Sequence, residues 1–506
     1  MTVGISVVGV ETSAGACLLA AGDAPCSLCL EARLVEAGFV IESPIFTVTE
    51  GSLAPALLSV LERAEPGLAS VLRFEGEEVS CHGLLRVPGC PRCAGDAQTL
   101  PERPHNTGLL RDPLTGLTSI LEISDASVDP TLLWTSVIGR VHMPLDEEPE
   151  VARGHGPDLA SAQEIQLGEA VERYAALHPV PGRLVHAKGR DLAGLTPPLD
   201  LFCGFDEEQR ALTGYAPIDL DAELAWIEGQ ALGTGERRLV PAAAVFHTRS
   251  WNREEPRFAP MLSSGIASHR SVPEARRNAL LEVVERFRVV EAWHRRAYGP
   301  KVDPACLPGR LGPLVARLRE ADLSLSLRGL ALPPRVPSVL AVVTGDVYPW
   351  IALGFAARLD VPEAAAAATA EAALLWQWMV SHEPGSPPGE MPPVLARPDA
   401  HTGYWATEER SRELMAELGT ELAAHGAFAP ATEEVTEADL VSEVLALAPD
   451  AVSVVLGPPD CAACGFEIVR IVAPGLPLLS FGSVGTPRLH AARLGLPARS
   501  GIHPFG

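Results

Sequence analysis

The chain opens on an unbroken apolar run, GISVVGV at 4–10, the pattern of a strand buried on both faces. Amphipathic spacing predicts a helix over 27–37, a β-rich run over 39–48 and a second helix over 53–64. The first hundred residues therefore read as a small α/β unit. A polar, proline-containing stretch, AGDAQTLPERPHNTG at 94–108, closes it and divides the chain into 1–105 and 106–506. Beyond that boundary, strand-like runs such as LTSILEISD (117–125) and FEIVRIVAP (466–474) alternate with amphipathic helices, and Pro/Gly-rich breaks fall over 383–403. The most apolar long stretch, 361–380, carries Glu363 and Glu371 and reads as a buried core helix, not a membrane span. No solenoid period is present.

Composition narrows the function classes. With 47% hydrophobic and 21% charged residues over 506 positions, the chain can bury a large core, which excludes wholesale disorder. Forty basic residues against 64 acidic ones leave a formal charge of -24, so nucleic acid and anionic lipid surfaces are not expected partners. Lys188 and Lys301 are the only lysines; the remaining cations are arginines. The apolar opening has no basic leader and meets Glu11 early, so a cytoplasmic location is expected. Ten cysteines in such a setting point to metal ligands or core thiols before disulfides.

One internal echo carries the chemistry. LGEAVERY (167–174) holds Glu169, Glu172 and Arg173, and LLEVVERF (280–287) holds Glu282, Glu285 and Arg286, the same E-x-x-E-R pattern twice. On a helix, positions i, i+3 and i+4 share one face, so each copy projects two carboxylates and a guanidinium together. A solvated face with weak intrahelical pairs, worth roughly 0.2–0.5 kcal/mol each, explains one copy. Two copies in helices so rich in Leu, Val and Ala leave little surface to expose, and carboxylates held there call for cations. Mg²⁺ is the oxygen-seeking candidate, bridging carboxylates to a nucleotide triphosphate, with arginines taking phosphate oxygens. The pattern predicts an ATP site without a P-loop, and no G-x-x-x-x-G-K-[ST] loop occurs; Gly154-His155-Gly156 reads only as a short turn.

Two C-x-x-C knuckles, Cys26-Ser-Leu-Cys29 and Cys90-Pro-Arg-Cys93, have the spacing of a closed four-thiolate structural zinc site, with Cys81 and His82 near enough to substitute for a ligand. Cys461 and Cys464 read as core thiols.

These residues resemble the YcaO superfamily, ATP-using enzymes that activate peptide-backbone amides, over most of 112–506. DPLTGLTSILEI resembles its opening, GHGPDLASAQEIQLGEAVERY its first acidic helix, SSGIASHRSVPEARRNALLEVVERF with a later Trp293-His294 its second, and LGFAARLDVPEAAAAATAEA its third. IVRIVAPGLPLLSFG and the terminal HPFG resemble its proline-rich tail. The resemblance implies an α+β fold of mixed and antiparallel sheets with helices. It also implies Glu169, Glu172, Glu282 and Glu285 as magnesium or nucleotide ligands, Arg173 and Arg286 as phosphate partners, Asn278 and Glu371 as further site residues, and His503 and the Gly506 carboxylate as candidates for the base. The N-terminal piece resembles a truncated zinc-binding part of the E1-like, ThiF-related partner of azoline-forming cyclodehydratases.

The activity implied is conversion of Cys, Ser or Thr of a ribosomal precursor peptide to a thiazoline or oxazoline with ATP, Mg²⁺ and structural Zn²⁺. A separate leader-peptide recognition protein, a dehydrogenase partner and a homodimer are implied alongside. His155, Gln166, Phe287 and Leu374 depart from the family, which has Lys, Ser, Asp and Gln there. A non-catalytic scaffold that binds precursor peptide or a catalytic partner is therefore the alternative, with thioamide formation a third.

Overall fold

A computed structural model of the chain describes residues 6–12, 15–21, 27–37, 46–48, 69–75, 78–85, 87, 90, 107–142, 150–247, 255–258, 263–333, 335–381, 398–419 and 434–505. Among these residues the strands form four sheets. The N-terminal sheet has five strands in the order Phe46–Val48, Ser6–Thr12, Gly15–Ala21, Ala69–Glu75, Glu78–Leu84, each pair antiparallel. The first strand covers the described part of the predicted apolar run and continues to Thr12, and the second has no separate signal because its small residues do not alternate. Helix α1 (Ser27–Glu36) lies where amphipathicity places it. The helix expected over 53–64 lies outside the described residues.

Three further antiparallel sheets build the rest. The first runs Thr118–Ser124, Thr135–Val141 and then β1 (Glu150–Gly156) at its edge. The second runs Arg237–Pro241, Glu223–Ala231, Val452–Val455, Glu467–Val472 and β2 (Ile266–His269) at its edge, with Leu184–Lys188 also on Glu223–Ala231. The third runs Lys301–Val302, Ser324–Ala331, Ser338–Thr344 and β3 (Ile351–Ala357) at its edge. The mixed helix and antiparallel-sheet architecture expected from the sequence is the one observed.

Three long helices lie along those edges. Helix α2 (Leu159–Leu177) begins where the Asp158 side chain accepts from the Ser161 amide and buries Ala162, Gln166, Leu167, Ala170, Val171 and Tyr174. Helix α3 (Val272–Arg295) starts at Ser271 with proline in its first turn, and stops where Arg296 turns left-handed at φ 52°. Helix α4 (Val361–Ser381) is the apolar stretch 361–380; its buried alanines let it lie close on the third sheet. No helix among the described residues is long and apolar enough to cross a membrane.

Close approach is enforced by two glycines. A Cβ on Gly154 of β1 would lie 1.9 Å from the Ala162 carbonyl oxygen of α2, and one on Gly354 of β3 would lie 2.2 Å from that of Ala368 on α4. Gly154-His155-Gly156 is therefore no turn: it ends a strand pressed flush on a helix. The expected break over 383–403 also needs correction at its end, since 398–403 belong to the helix Pro398–Trp405.

Candidate functional site

An edge strand leaves every second backbone N–H without a ladder partner. Here three edge strands offer those donors to five carboxylates on three helices. The Arg153 amide of β1 donates to Glu169 at 2.5 Å. The Ser268 amide of β2 donates to Glu172 at 2.8 Å, joined by the Ser268 hydroxyl at 3.1 Å. Just upstream, the Gly265 and Ile266 amides donate to Glu282 at 3.0 and 3.1 Å. On β3, the Ala357 amide donates to Glu285 at 3.1 Å and the Phe355 amide to Glu371 at 2.7 Å. The two E-x-x-E-R ridges thus converge, and Glu371 of the third helix extends the row.

Arginines interleave with the carboxylates. Arg173 bonds Glu169 through Nε at 3.0 Å and Glu150 through Nη1 at 3.0 Å. Arg286 Nε lies 3.4 Å from Glu282 and 3.9 Å from Glu285, and its guanidinium sits 5.1 Å over the Phe355 ring. Arg358 approaches Glu285 at 3.6 Å. Burial alone would lower the Arg286 pKa, but Glu282, then Glu285 and Glu371, hold it above its ordinary value. Neither Glu371 nor Glu172 makes an ion pair among the described residues, but Arg286 and Arg358 act on Glu371, whereas the charges facing Glu172 are Glu282 and Glu169. Burial, then the facing Glu282 and Glu169 charges, pushes the Glu172 pKa up to about 8 against the Ser268 hydrogen bonds. Burial, then Glu285, raises Glu371 to about 7.

A carboxylate set this strained, with Glu172 and Glu282 facing each other from two helices, fits a hard divalent cation. Among the described residues no three His, Cys, Asp or Glu side chains form a ready coordination cage. Beyond the Glu169 end, a small hollow of about 20 Å³ lies between the open face of the first sheet and α4; Arg153, Ile138, Leu374 and Trp378 line it.

The other expected site residues fall out differently. Asn278 sits one turn before Glu282 on α3, half-buried, and its amide has no hydrogen-bond partner among the described residues. His503 is 2% exposed; its Nε2 donates to the Ser480 carbonyl and its ring lies among His401, Phe481 and Phe505. Burial lowers its pKa to about 3, so it anchors the tail and is not placed to act as a base. The tail does come near the row: Phe505 packs on Phe355, whose amide Glu371 holds. Gly506 lies outside the described residues, as do Cys26 and Cys93; Cys29 and Cys90 are buried. Cys461 and Cys464 are buried thiols with raised pKa values, Cys464 to about 12, as core thiols should be.

Among the departures, Phe287 is a core residue at 2% exposure, and Gln166 is sealed beneath the first sheet with Nε2 on the Thr118 hydroxyl. His155 lies near Glu169 and Arg358, and burial keeps its pKa below the ordinary value. Sequence reasoning passed over Arg470. It is the lone cation in the apolar run FEIVRIVAP, is 5% exposed, and is held at a pKa of about 10 by burial against the opposing Glu282 charge. That isolation was its signal. The backbone donors of β1, β2 and β3 had none.

Carboxylates from three helices clamped on three sheet edges define the site of this α+β fold. The sequence profile of the family described as YcaO cyclodehydratase, ATP- and Mg²⁺-binding, matches residues 153–477, which span every carboxylate of the row. The chain belongs to that family. An uncharacterized protein of Methanothermobacter thermautotrophicus is 30% identical over 231 residues, 44% of this chain; the chain spans 55% of that relative's length. A solved heterocyclase in complex with substrate and cofactor shares the fold at a TM-score of 0.71 and 18% identity, covering 97% of this chain and 76% of its own. YcaO from Methanopyrus kandleri, bound with AMPPCP and Mg²⁺, aligns at 0.50 and 21% identity, over 76% of this chain and 91% of its own.

Proposed function

We propose that the chain is an ATP-dependent cyclodehydratase acting on a ribosomally made precursor peptide. The observation that carries this is the row of five glutamates from α2, α3 and α4, each held by an edge-strand amide and interleaved with arginines. Glu169, Glu172, Glu282 and Glu285 would hold Mg²⁺ and the nucleotide, which supplies charge neutralisation at the transferring phosphoryl group. Arg286, already drawn to three carboxylates, is placed to take phosphate oxygens bidentately. Asn278, with an uncommitted amide one turn from Glu282, is available to the same ligand.

In the proposed reaction a substrate Cys, Ser or Thr side chain attacks the preceding amide carbonyl. The resulting oxyanion takes the γ-phosphoryl group of ATP, and loss of phosphate leaves the thiazoline or oxazoline. The site's contribution is positioning and electrostatics, because an amide oxygen leaves readily only once phosphorylated. No side chain is assigned as the base. A zinc knuckle of Cys26, Cys29, Cys90 and Cys93 in a truncated E1-like unit, a cytoplasmic location, a homodimer, a separate leader-recognition protein and a dehydrogenase belong to the same reading.

A second reading has its own support. Every carboxylate is already satisfied by backbone amides, and Phe287 and Gln166 are built into the core, which suits a scaffold that binds peptide without turnover. Incubating the protein with its precursor peptide, recognition partner and Mg-ATP separates the two by peptide mass. Loss of one water per ring, abolished by Glu282→Gln, supports the enzyme; peptide binding without ATP turnover overturns it. Exchange of oxygen for sulfur would mark thioamide formation.

A further inference from the structure

Tyr174 follows Arg173 on α2 and turns its hydroxyl away from the carboxylate row into a sealed polar cluster. There Arg33 of α1 donates through Nη1 to the Tyr174 oxygen at 2.9 Å and through Nη2 to Asp460. The Tyr174 hydroxyl donates in turn to Asp460 at 2.7 Å, and the Arg33 guanidinium lies 5.3 Å over the Tyr174 ring. Arg33 is 1% exposed and Asp460 0%. At the C-cap of α2, His178 Nε2 meets Glu36 of α1 at 3.3 Å, and its ring stacks on Tyr174 at 3.9 Å. Arg33 and Glu36 of α1 thus grip Tyr174 of α2 and His178, the residue that caps α2.

A buried ion pair of this kind adds little net stability, but it permits one arrangement only, since loss of either partner strands a charge in the interior. The grip therefore fixes the rotation and axial position of α2. Glu169 and Glu172 ride on the same rigid helix, within two turns of Tyr174, and a small rotation at Tyr174 swings both carboxylates. Cys29 lies one turn before Arg33, so the cysteine-bearing segment is tied into the same joint.

We propose that Arg33 is a positioning residue for the carboxylate row, acting through Tyr174 to set the affinity of the site for magnesium nucleotide. This rests on the nucleotide reading above. The test is calorimetric titration of the full-length chain with Mg·AMPPCP, at a temperature well below the unfolding midpoint of each variant, so that stability loss alone leaves the result unmoved.

Arg33→Met is expected to weaken binding at least tenfold, and Arg33→Lys to recover part of the loss. Tyr174→Phe, which keeps the ion pair and removes only the hydroxyl link, is expected to weaken binding three- to tenfold. Adding Asp460→Asn to Arg33→Met is expected to cost no more than Arg33→Met alone, because the two act as one unit. Arg237→Met, breaking an exposed pair with Glu228, should change nothing. If Arg33→Met does not fold, Tyr174→Phe decides. Wild-type affinity in folded Arg33→Met or Tyr174→Phe overturns the positioning role alone; failure of the wild-type chain to bind Mg·AMPPCP overturns the nucleotide reading and this role with it.

Discussion

Glu172 is buried in the row with Glu282 and Glu169 facing it, and its electrostatics follow first from burial and then from those like charges. Its folded pKa, about 8, lies above the ordinary 4.5, so the folded state holds a proton that the unfolded chain has released. Such a group contributes stability that is complete below the unfolded pKa and is lost as pH rises from about 4.5 through about 8. Replacing Glu172 with Gln should remove that loss. Without added cation, the variant is expected to be more stable than wild type at pH 8, by on the order of 1–3 kcal/mol after allowing for partial solvent contact. Added Mg²⁺ should no longer raise its unfolding midpoint. Thermal melts with and without Mg²⁺ measure both; a variant less stable than wild type at pH 8 would show that burial and the facing carboxylates do not hold the Glu172 pKa up. The spacing of Glu169, Glu172, Glu282 and Glu285 was legible because i, i+3 and i+4 geometry is local to a helix. The isolation of Glu172 was not, since Arg470, on a strand, and Arg358, just past one, reach the row from far along the chain.

At the scale of elements, the site is a meeting of strand edges and helices, and the glycines decide how close they come. Gly154 stands beside the Arg153 amide that Glu169 accepts, and Gly354 beside the Phe355 amide that Glu371 accepts. Alanine at either position would drive a methyl into helix backbone, which has no flexible end to move aside. Gly354→Ala is expected to destabilise by about 1–3 kcal/mol, the usual cost of overpacking, and to loosen the Glu371 clamp. Denaturant titration checks the first effect, and loss of hydrogen-exchange protection at Phe355 the second. Helices α1 and α4 were readable from amphipathicity and apolar length. The strand character of Gly154-His155-Gly156 was hidden, because glycine there reflects contact with α2 and not a local turn preference.

For the whole molecule, the tail closes the fold over the third sheet. His401 donates through Nδ1 to the His503 carbonyl and accepts the Gly482 amide, while Trp405 donates to the Ile502 carbonyl. Burial holds His401 near pKa 4 and His503 near 3, below the ordinary 6.5. A depressed folded pKa gives stability that is present above 6.5 and is lost as pH falls toward 4, when the unfolded chain takes up protons the folded one refuses. The midpoint of thermal unfolding is expected to drop steeply between pH 6.5 and 4. His503→Gln should flatten that slope, removing on the order of 2–3 kcal/mol of acid sensitivity; an unchanged slope would mean His503 is protonated in the folded state. By itself the sequence determined the acidic ridges, the apolar helix and the α+β class, because periodicity along one element requires no distant partner. Only the tertiary structure decided that edge-strand amides clamp the glutamates, that the tail histidine is a buried anchor, and that Arg33 locks α2. Each of those joins residues far apart along the chain, and no local pattern records which strand or helix will lie alongside.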